Sequence, residues 1–192
     1  MAQPRVLAFA GSSRRDSYNA QLIEVAAAGA RSAGAEVTVI NLASYELPLF
    51  NEDLEAAEGA PVNATRLKEL FFEHDGLLIA SPEYNSSISP LLKNTIDWVS
   101  RAAEGEGSLA AYQGKVAAIM AASPGALGGL RGLVHVRSIL SSIGVLVVPD
   151  QIAIPRAFEA FGEDGRLRDE RQQAKVEAIG AGLATTLQKL TA

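Results

Sequence analysis

Two periods of apolar residues organise the chain. Residues 6–10, VLAFA, run without a polar interruption and stop at Gly11, the pattern of a strand covered on both faces. Over 19–33, Leu22, Ile23, Val25, Ala26 and Ala30 recur at helical spacing, and Gly34 ends the segment. EVTVINL, residues 36–42, alternates with β-branched positions and predicts a second strand. An irregular excursion over 43–61 follows, with two prolines and scattered acids. Residues 63–75 then place Leu67, Leu70 and Phe71 on one helical face, with Asn63 as the expected N-cap.

A third strand over 76–80 leads into a polar segment and then a helix over 90–103. Ser89 can cap this helix, and Pro90 suits its first position because the missing N–H had no partner there. Leu92, Ile96 and Val99 form its buried stripe, and Asp97 and Arg101 are spaced to pair. A loop at 105–108, a fourth strand over 115–122, the glycine-rich SPGALGGLRG and a helix to 142 come next. A fifth strand over 144–148 and a C-terminal helix ending near 190 complete the pattern.

Strand and helix alternate throughout, and four of the strands are continuous apolar runs rather than half-buried ones. This predicts an α/β three-layer sandwich: a five-stranded parallel sheet with helices on both faces. The length of 192 residues suits a single domain spanning 1–192. A formal net charge of −5 disfavours nucleic acid or an anionic membrane surface as partner. The absence of cysteine excludes disulfides, thiolate catalysis and cysteine-ligated metal. The amino-terminal residues carry too short an apolar core for a signal peptide, and no run approaches the roughly 20 apolar residues of a membrane span. The expectation is a soluble, cytoplasmic protein.

Sheets of this class bind ligands beyond the carboxyl ends of their strands, where strand order reverses. That crevice lies between strands one and three. The loop after strand one, GSSRRDSYN (11–19), offers Gly11 for a sharp turn, hydroxyl and amide donors at Ser12, Ser17 and Asn19, and the Arg14 guanidinium. It also opens a helix whose free N–H groups favour an anion. Such a loop suits a phosphate, although alone it is equally a serine-capped surface turn. Neither GxGxxG nor GxxxxGK[ST] occurs, so a standard dinucleotide fingerprint and a triphosphate loop are both excluded. The loop after strand three, SPEYNSSIS (81–89), presents Pro82 and Tyr84 as flat apolar surfaces among backbone polar groups. It suits a planar heterocycle, or else Tyr84 packs against a neighbouring subunit. Phosphate at one loop and a flat polar ring at the other describe a mononucleotide such as FMN.

GSSRRDSYN matches a GSxRxxSxN pattern, and PEYNSSISPLLKNTIDW (82–98) resembles the PEYNxSIPGxLKNAIDW pattern of the NADPH-dependent FMN reductase family. The resemblance implies a flavodoxin-like fold and an FMN-dependent NAD(P)H oxidoreductase. Hydride would pass from NADPH or NADH to FMN and then to a quinone, azo, chromate or free-flavin acceptor. It implies that Ser12, Arg14, Ser17 and Asn19 hold the FMN phosphate. Pro82, Glu83, Tyr84 and Asn85 would line the ring and ribityl edge, and Ser123 would approach the ring from the fourth strand. Ile88-Ser89-Pro90 departs from the family's Ile-Pro-Gly, which affects only the end of the loop.

No side chain is assigned as a catalytic acid or base, since the cofactor carries the chemistry. His74 follows a helix and reads as a surface residue or a partner of the helix C-terminal dipole, and His135 lies in a helix with no second histidine at metal spacing, so no metal is expected. No serine sits in a nucleophile elbow. Glu52, Asp53, Glu55 and Glu58 read as a solvated face, or else their excursion covers part of a neighbour or of the active site. A non-enzymatic flavodoxin-type carrier is the alternative; Arg14 and the modest acidity argue against it. A flavin-free binding module is a second rival. A homodimer or homotetramer is expected, because Leu91 and Trp98 would project from the 90–103 helix beside its core stripe. The competing reading packs Trp98 inside its own subunit against the Gly105 loop.

Overall fold

All five strands pair in parallel in the order β2-β1-β3-β4-β5. The computed structural model describes residues 3–190. The strands are β1 (Arg5–Ala10), β2 (Glu36–Asn41), β3 (Gly76–Ala80), β4 (Val116–Ala122) and β5 (Leu146–Ile154). The helices are α1 (Tyr18–Ser32), α2 (Glu52–Glu58), α3 (Val62–Glu73), α4 (Pro90–Val99), α5 (Leu130–Ser142), α6 (Ala157–Ala160) and α7 (Glu170–Leu190). This is the flavodoxin-like arrangement, with its order reversal between β1 and β3.

Successive strand residues point to opposite faces, so each apolar run feeds two cores. Val6, Ala8 and Ala10 pack with Leu78, Met120 and the apolar faces of α1 and α7. Leu7 and Phe9 pack with Ile79, Ile119 and the stripes of α3, α4 and α5. Helices α1 and α7 cross through two glycines: a Cβ on Gly29 would fall inside the Glu177 carbonyl, and one on Gly180 inside the Ala26 carbonyl. Only the lack of a side chain lets these backbones meet.

Several local expectations change. Strand β5 extends to Ile154 instead of stopping at 148, because the register slips between Ala117 and Ile119 and lets Pro149 and Asp150 bulge out. As the edge strand, β5 tolerates a proline that a central strand would reject. Asn63 does not cap α3. The helix begins after Pro61, and the Asn63 amide instead donates to the Glu46 carbonyl at 3.0 Å. Asp97 pairs backward with Lys93 at 2.8 Å, while Arg101 reaches Glu55 at 2.9 Å, so Glu55 is a tether rather than part of a solvated face. His74 is buried. Its Nδ1 donates to the Leu70 carbonyl in the last turn of α3 (2.6 Å), and its Nε2 lies 2.8 Å from the Thr38 hydroxyl.

The excursion over 43–61 folds back onto α4. Asn94 accepts from the Phe50 N–H and donates to the Pro48 carbonyl. The Trp98 indole N–H donates to the same carbonyl at 2.8 Å, with its ring edge-on to Phe50 at 5.0 Å. Trp98 is therefore buried in its own subunit, as the competing reading had it, with the 43–61 excursion over it, and is not exposed for a partner. The motive first given for a subunit interface at Trp98 is gone.

Candidate functional site

The carboxyl ends of β1, β3 and β4 converge on one crevice. Its walls include Ser12, Arg14, Ser17, Asn19, Pro82, Glu83, Tyr84 and Ser123, eight of the nine positions singled out from the sequence. Asn85 does not line it and sits at the exposed corner of the following turn. Tyr18, Ala122 and Pro124 complete the walls.

The first loop is shaped from beneath. The chain bends at Gly11 as expected, without entering the left-handed region. A Cβ there would lie 2.9 Å from the Leu92 Cβ, so the glycine also admits the start of α4. Ser89 caps α4 by accepting from the Leu92 N–H, and its hydroxyl donates to the Gly11 carbonyl at 2.6 Å. The loop then rises over this anchor. The N–H groups of Ser12, Ser13, Arg15, Asp16 and Ser17 find no acceptor among the described residues. The Tyr18 and Asn19 N–H groups open α1 and have no helical partner. Ser17 caps α1, its hydroxyl oxygen accepting from the Ala20 N–H, which leaves its own hydrogen to donate. Arg14 is exposed, with its guanidinium 5.8 Å from the centroid of the Tyr18 ring. Tyr18 in turn stacks on Phe161 at 6.1 Å. A cluster of unclaimed N–H donors, two hydroxyls and a guanidinium at a helix start suits an anion.

Asn19 lines the crevice and also makes a tertiary tie. It is buried, and its carboxamide accepts from the Ala122 N–H and donates to the Ala122 carbonyl, both at 2.9 Å. Strand β3 ends opposite Met120, so Asn19 supplies the pairing that β4 lacks beyond that point. It fastens α1 to β4, with one Nδ2 hydrogen left over.

Glu83 makes a tie of its own. Its carboxylate accepts from Arg131 at 2.6 and 2.9 Å and from the Gly132 N–H at 3.0 Å. Burial raises its pKa, but the Gly132 N–H and the Arg131 guanidinium outweigh that and hold the carboxyl below its usual range. The side chain therefore caps α5 from the wall of the crevice. Tyr84 and Ser87 exchange two backbone hydrogen bonds across Asn85 and Ser86, both at positive φ (50° and 68°). Such a conformation in non-glycine residues costs on the order of 1–3 kcal/mol each and persists where surrounding contacts impose it. The His135 Nδ1 lies 2.8 Å from the Ser87 hydroxyl and braces the turn from α5. The turn holds Tyr84, 47% exposed, at the rim. The Ser123 hydroxyl oxygen accepts from the Gly125 N–H, leaving its hydrogen free at the other wall.

Sequence reasoning missed Arg131, Gly132 and His135, which hold the second loop, and Tyr18, which carries Arg14. The aromatic directly after a capping serine was the available signal for Tyr18. Nothing local marks the α5 residues, since their contacts cross about 48 positions. Among the described residues no cluster of side chains suits a metal ion, and no helix is long and apolar enough to cross a membrane.

Comparison with known proteins returns the same chemistry. A model of the NADPH-dependent FMN reductase family matches residues 4–159. An NAD(P)H-dependent FMN reductase of Pseudomonas aeruginosa is 35% identical over 174 residues, covering 90% of this chain and 89% of that protein. A quinone reductase of Escherichia coli is 34% identical over 145 residues, covering 75% and 73%. Among solved structures, the flavoenzyme NAD(P)H:(acceptor) oxidoreductase FerB from Paracoccus denitrificans superposes with a TM-score of 0.80 at 28% identity, covering 97% and 98%.

Proposed function

The chain belongs to the NADPH-dependent FMN reductase family, and from that premise we propose that it is an FMN-dependent NAD(P)H oxidoreductase acting on a quinone-type acceptor. The observation that carries the reading is the crevice itself: unclaimed backbone donors and Arg14 on one side, a braced, strained turn bearing Tyr84 on the other. The chemistry FMN supplies when bound is two-electron transfer between a nicotinamide and an acceptor.

The chain's own residues bind and orient. The Ser12 and Ser17 hydroxyls, the N–H groups at the start of α1 and Arg14 would hold the phosphate. Asn19 would act by fixing the loop's position against β4. Pro82, Tyr84 and the backbone of 82–85 would face the ring, with Ser123 donating from the β4 side. Glu83 would act through α5, by keeping the second loop in place. Because no side chain moves a proton in this scheme, specificity rests on shape and on donors to the ring edge.

A homodimer or homotetramer belongs to the reading. Its support is the exposed Leu127, Leu130 and Val134 at and just before the start of α5, apolar side chains a solvated surface would not need. A mass near the single-chain 20.1 kDa in light scattering of active, FMN-loaded protein would refute it. A cytoplasmic location accords with the lack of cysteine. The site assignment is tested by titrating flavin-free protein with FMN and with riboflavin. FMN should bind far more tightly, and equal affinities would remove the phosphate cradle.

A further inference from the structure

The turn after β3 holds a conformation that its residues would not choose alone. Asn85 and Ser86 both stand at positive φ, 50° and 68°, the signature of the mirror-image hairpin turn. Two backbone hydrogen bonds between Tyr84 and Ser87, of 2.9 and 3.0 Å, close it. Such turns favour Asn followed by Gly, because asparagine tolerates the left-handed region and glycine enters it without cost. Asn85 fits that pattern. Ser86 stands where glycine belongs, so the turn carries backbone strain there and needs outside contacts to persist.

Those contacts come from α5. Before the turn, the Glu83 carboxylate accepts from the Arg131 guanidinium and the Gly132 N–H. After it, the Ser87 hydroxyl lies 2.8 Å from the His135 Nδ1. Arg131 and His135 are four residues apart on one helical face, so a single rigid element holds both ends. Gly132, between them, admits the turn: a Cβ there would lie 3.3 Å from the Ser87 carbonyl oxygen. The two ends are unequally secured. Three hydrogen bonds fasten the Glu83 side chain, and one fastens that of Ser87. Beyond Ser87 the chain is fixed again, at Ile88 in the core beneath α4. Any opening is thus confined to 84–87, the stretch that carries Tyr84 on the crevice wall. His135 is exposed, and the Ser87 hydroxyl is its one hydrogen-bond partner among the described residues.

We propose that His135 is a positioning residue for the flavin site: its bond to Ser87 keeps the strained turn closed and thereby fixes Tyr84 against the ring. The proposal rests on the FMN-dependent reading and adds to it a residue outside the crevice on which turnover depends. Without the bond, Ser86 returns to negative φ, the Tyr84–Ser87 pair parts, and the phenol leaves the rim. His135 does not line the crevice and acts through Ser87 alone.

The test compares FMN-loaded wild type with His135→Ala, His135→Asn and the double variant His135→Ala/Ser86→Gly. Flavin fluorescence reports the phenol, which quenches an excited flavin that it touches, and Tyr84→Leu supplies the unquenched value. His135→Ala should raise the fluorescence toward that value. It should also raise KM for a quinone roughly threefold to tenfold with kcat little changed, the effect of one neutral hydrogen bond acting on binding. His135→Asn places a polar atom where Nδ1 stands and should keep most of the wild-type behaviour. Adding Ser86→Gly to His135→Ala should recover it as well, because glycine holds the turn without a brace. Thermal midpoints should agree within a few degrees, since the altered side chain is exposed. Wild-type fluorescence and KM in His135→Ala would overturn the proposal. So would a loss that either His135→Asn or Ser86→Gly fails to repair, or a Tyr84→Leu protein no brighter than wild type. The two possible failures are distinct. A protein that takes up no FMN overturns the parent reading together with this one. An FMN-loaded, active protein indifferent to His135→Ala overturns the positioning role alone.

Discussion

Replacing Asn19 with alanine separates a structural clamp from a phosphate ligand. The carboxamide satisfies both backbone groups of Ala122, with both residues at most 4% exposed. Its removal strands one N–H and one carbonyl. Each buried group left unpaired costs about 1–3 kcal/mol, so the pair spans about 2–6 kcal/mol. The crevice borders both residues and lets water reach them, which moves the expectation to the lower end, about 2–3 kcal/mol. Asn19→Asp should not rescue, because a carboxylate can accept from the Ala122 N–H but repels its carbonyl. The assay is urea unfolding of flavin-free protein followed by the fluorescence of Trp98, the chain's one tryptophan, which packs on Phe50 and is exposed on unfolding. A loss below about 0.5 kcal/mol, the range of ordinary surface changes, combined with weakened FMN binding, would refute the clamp and restore Asn19 as a ligand.

Other outcomes follow from the same structure. Arg14→Ala should weaken FMN by about 1.5–3 kcal/mol, the worth of a hydrogen bond to a charged group, and leave riboflavin affinity unmoved in calorimetric titration. Because the folded-state pKa of Glu83 is depressed, its stabilisation is present above the unfolded carboxyl value and disappears as pH falls through the lower folded one. Wild-type protein should therefore exceed Glu83→Gln in chemical-denaturation stability at neutral pH, and the gap should close on acidification below about pH 4; a gap that widens there would contradict the capping role. Gly180→Ala drives a methyl into the Ala26 carbonyl, a backbone atom that cannot swing aside. It should cost about 3 kcal/mol or more, seen as a large drop in thermal midpoint by circular dichroism.

Much of this was legible in the sequence wherever information is local. Uninterrupted runs such as VLAFA and GLLIA are strands because both faces meet apolar helices, and the Ser89-Pro90 start of α4 stands where its capping chemistry predicts. Both ligand loops were recognisable because polar residues directly follow buried strands. Contacts that close over long separations were not legible. Trp98 on a helix reads as an excess apolar residue until Pro48 and Phe50, 48 or more positions earlier, fold over it. Nothing near Glu83 in the sequence announces that Arg131 and the start of α5 hold its carboxylate. Asn19 carries the same lesson, since its partner lies 103 residues away. Residue type gave the kind of hydrogen bond in each case, and tertiary structure chose the partner. The end of β5 failed for a different reason: Pro149 and Asp150 are local stop signals that an edge strand can bulge around.

The most direct test of the enzymatic reading is anaerobic addition of NADPH to the FMN-loaded protein, followed by a quinone in excess. The visible flavin absorbance should bleach on adding NADPH and return on adding quinone, and NADPH should then be consumed over many turnovers per protein. FMN that stays oxidised in the presence of excess NADPH and NADH would contradict the account, and would leave the protein an electron carrier reduced by some other donor.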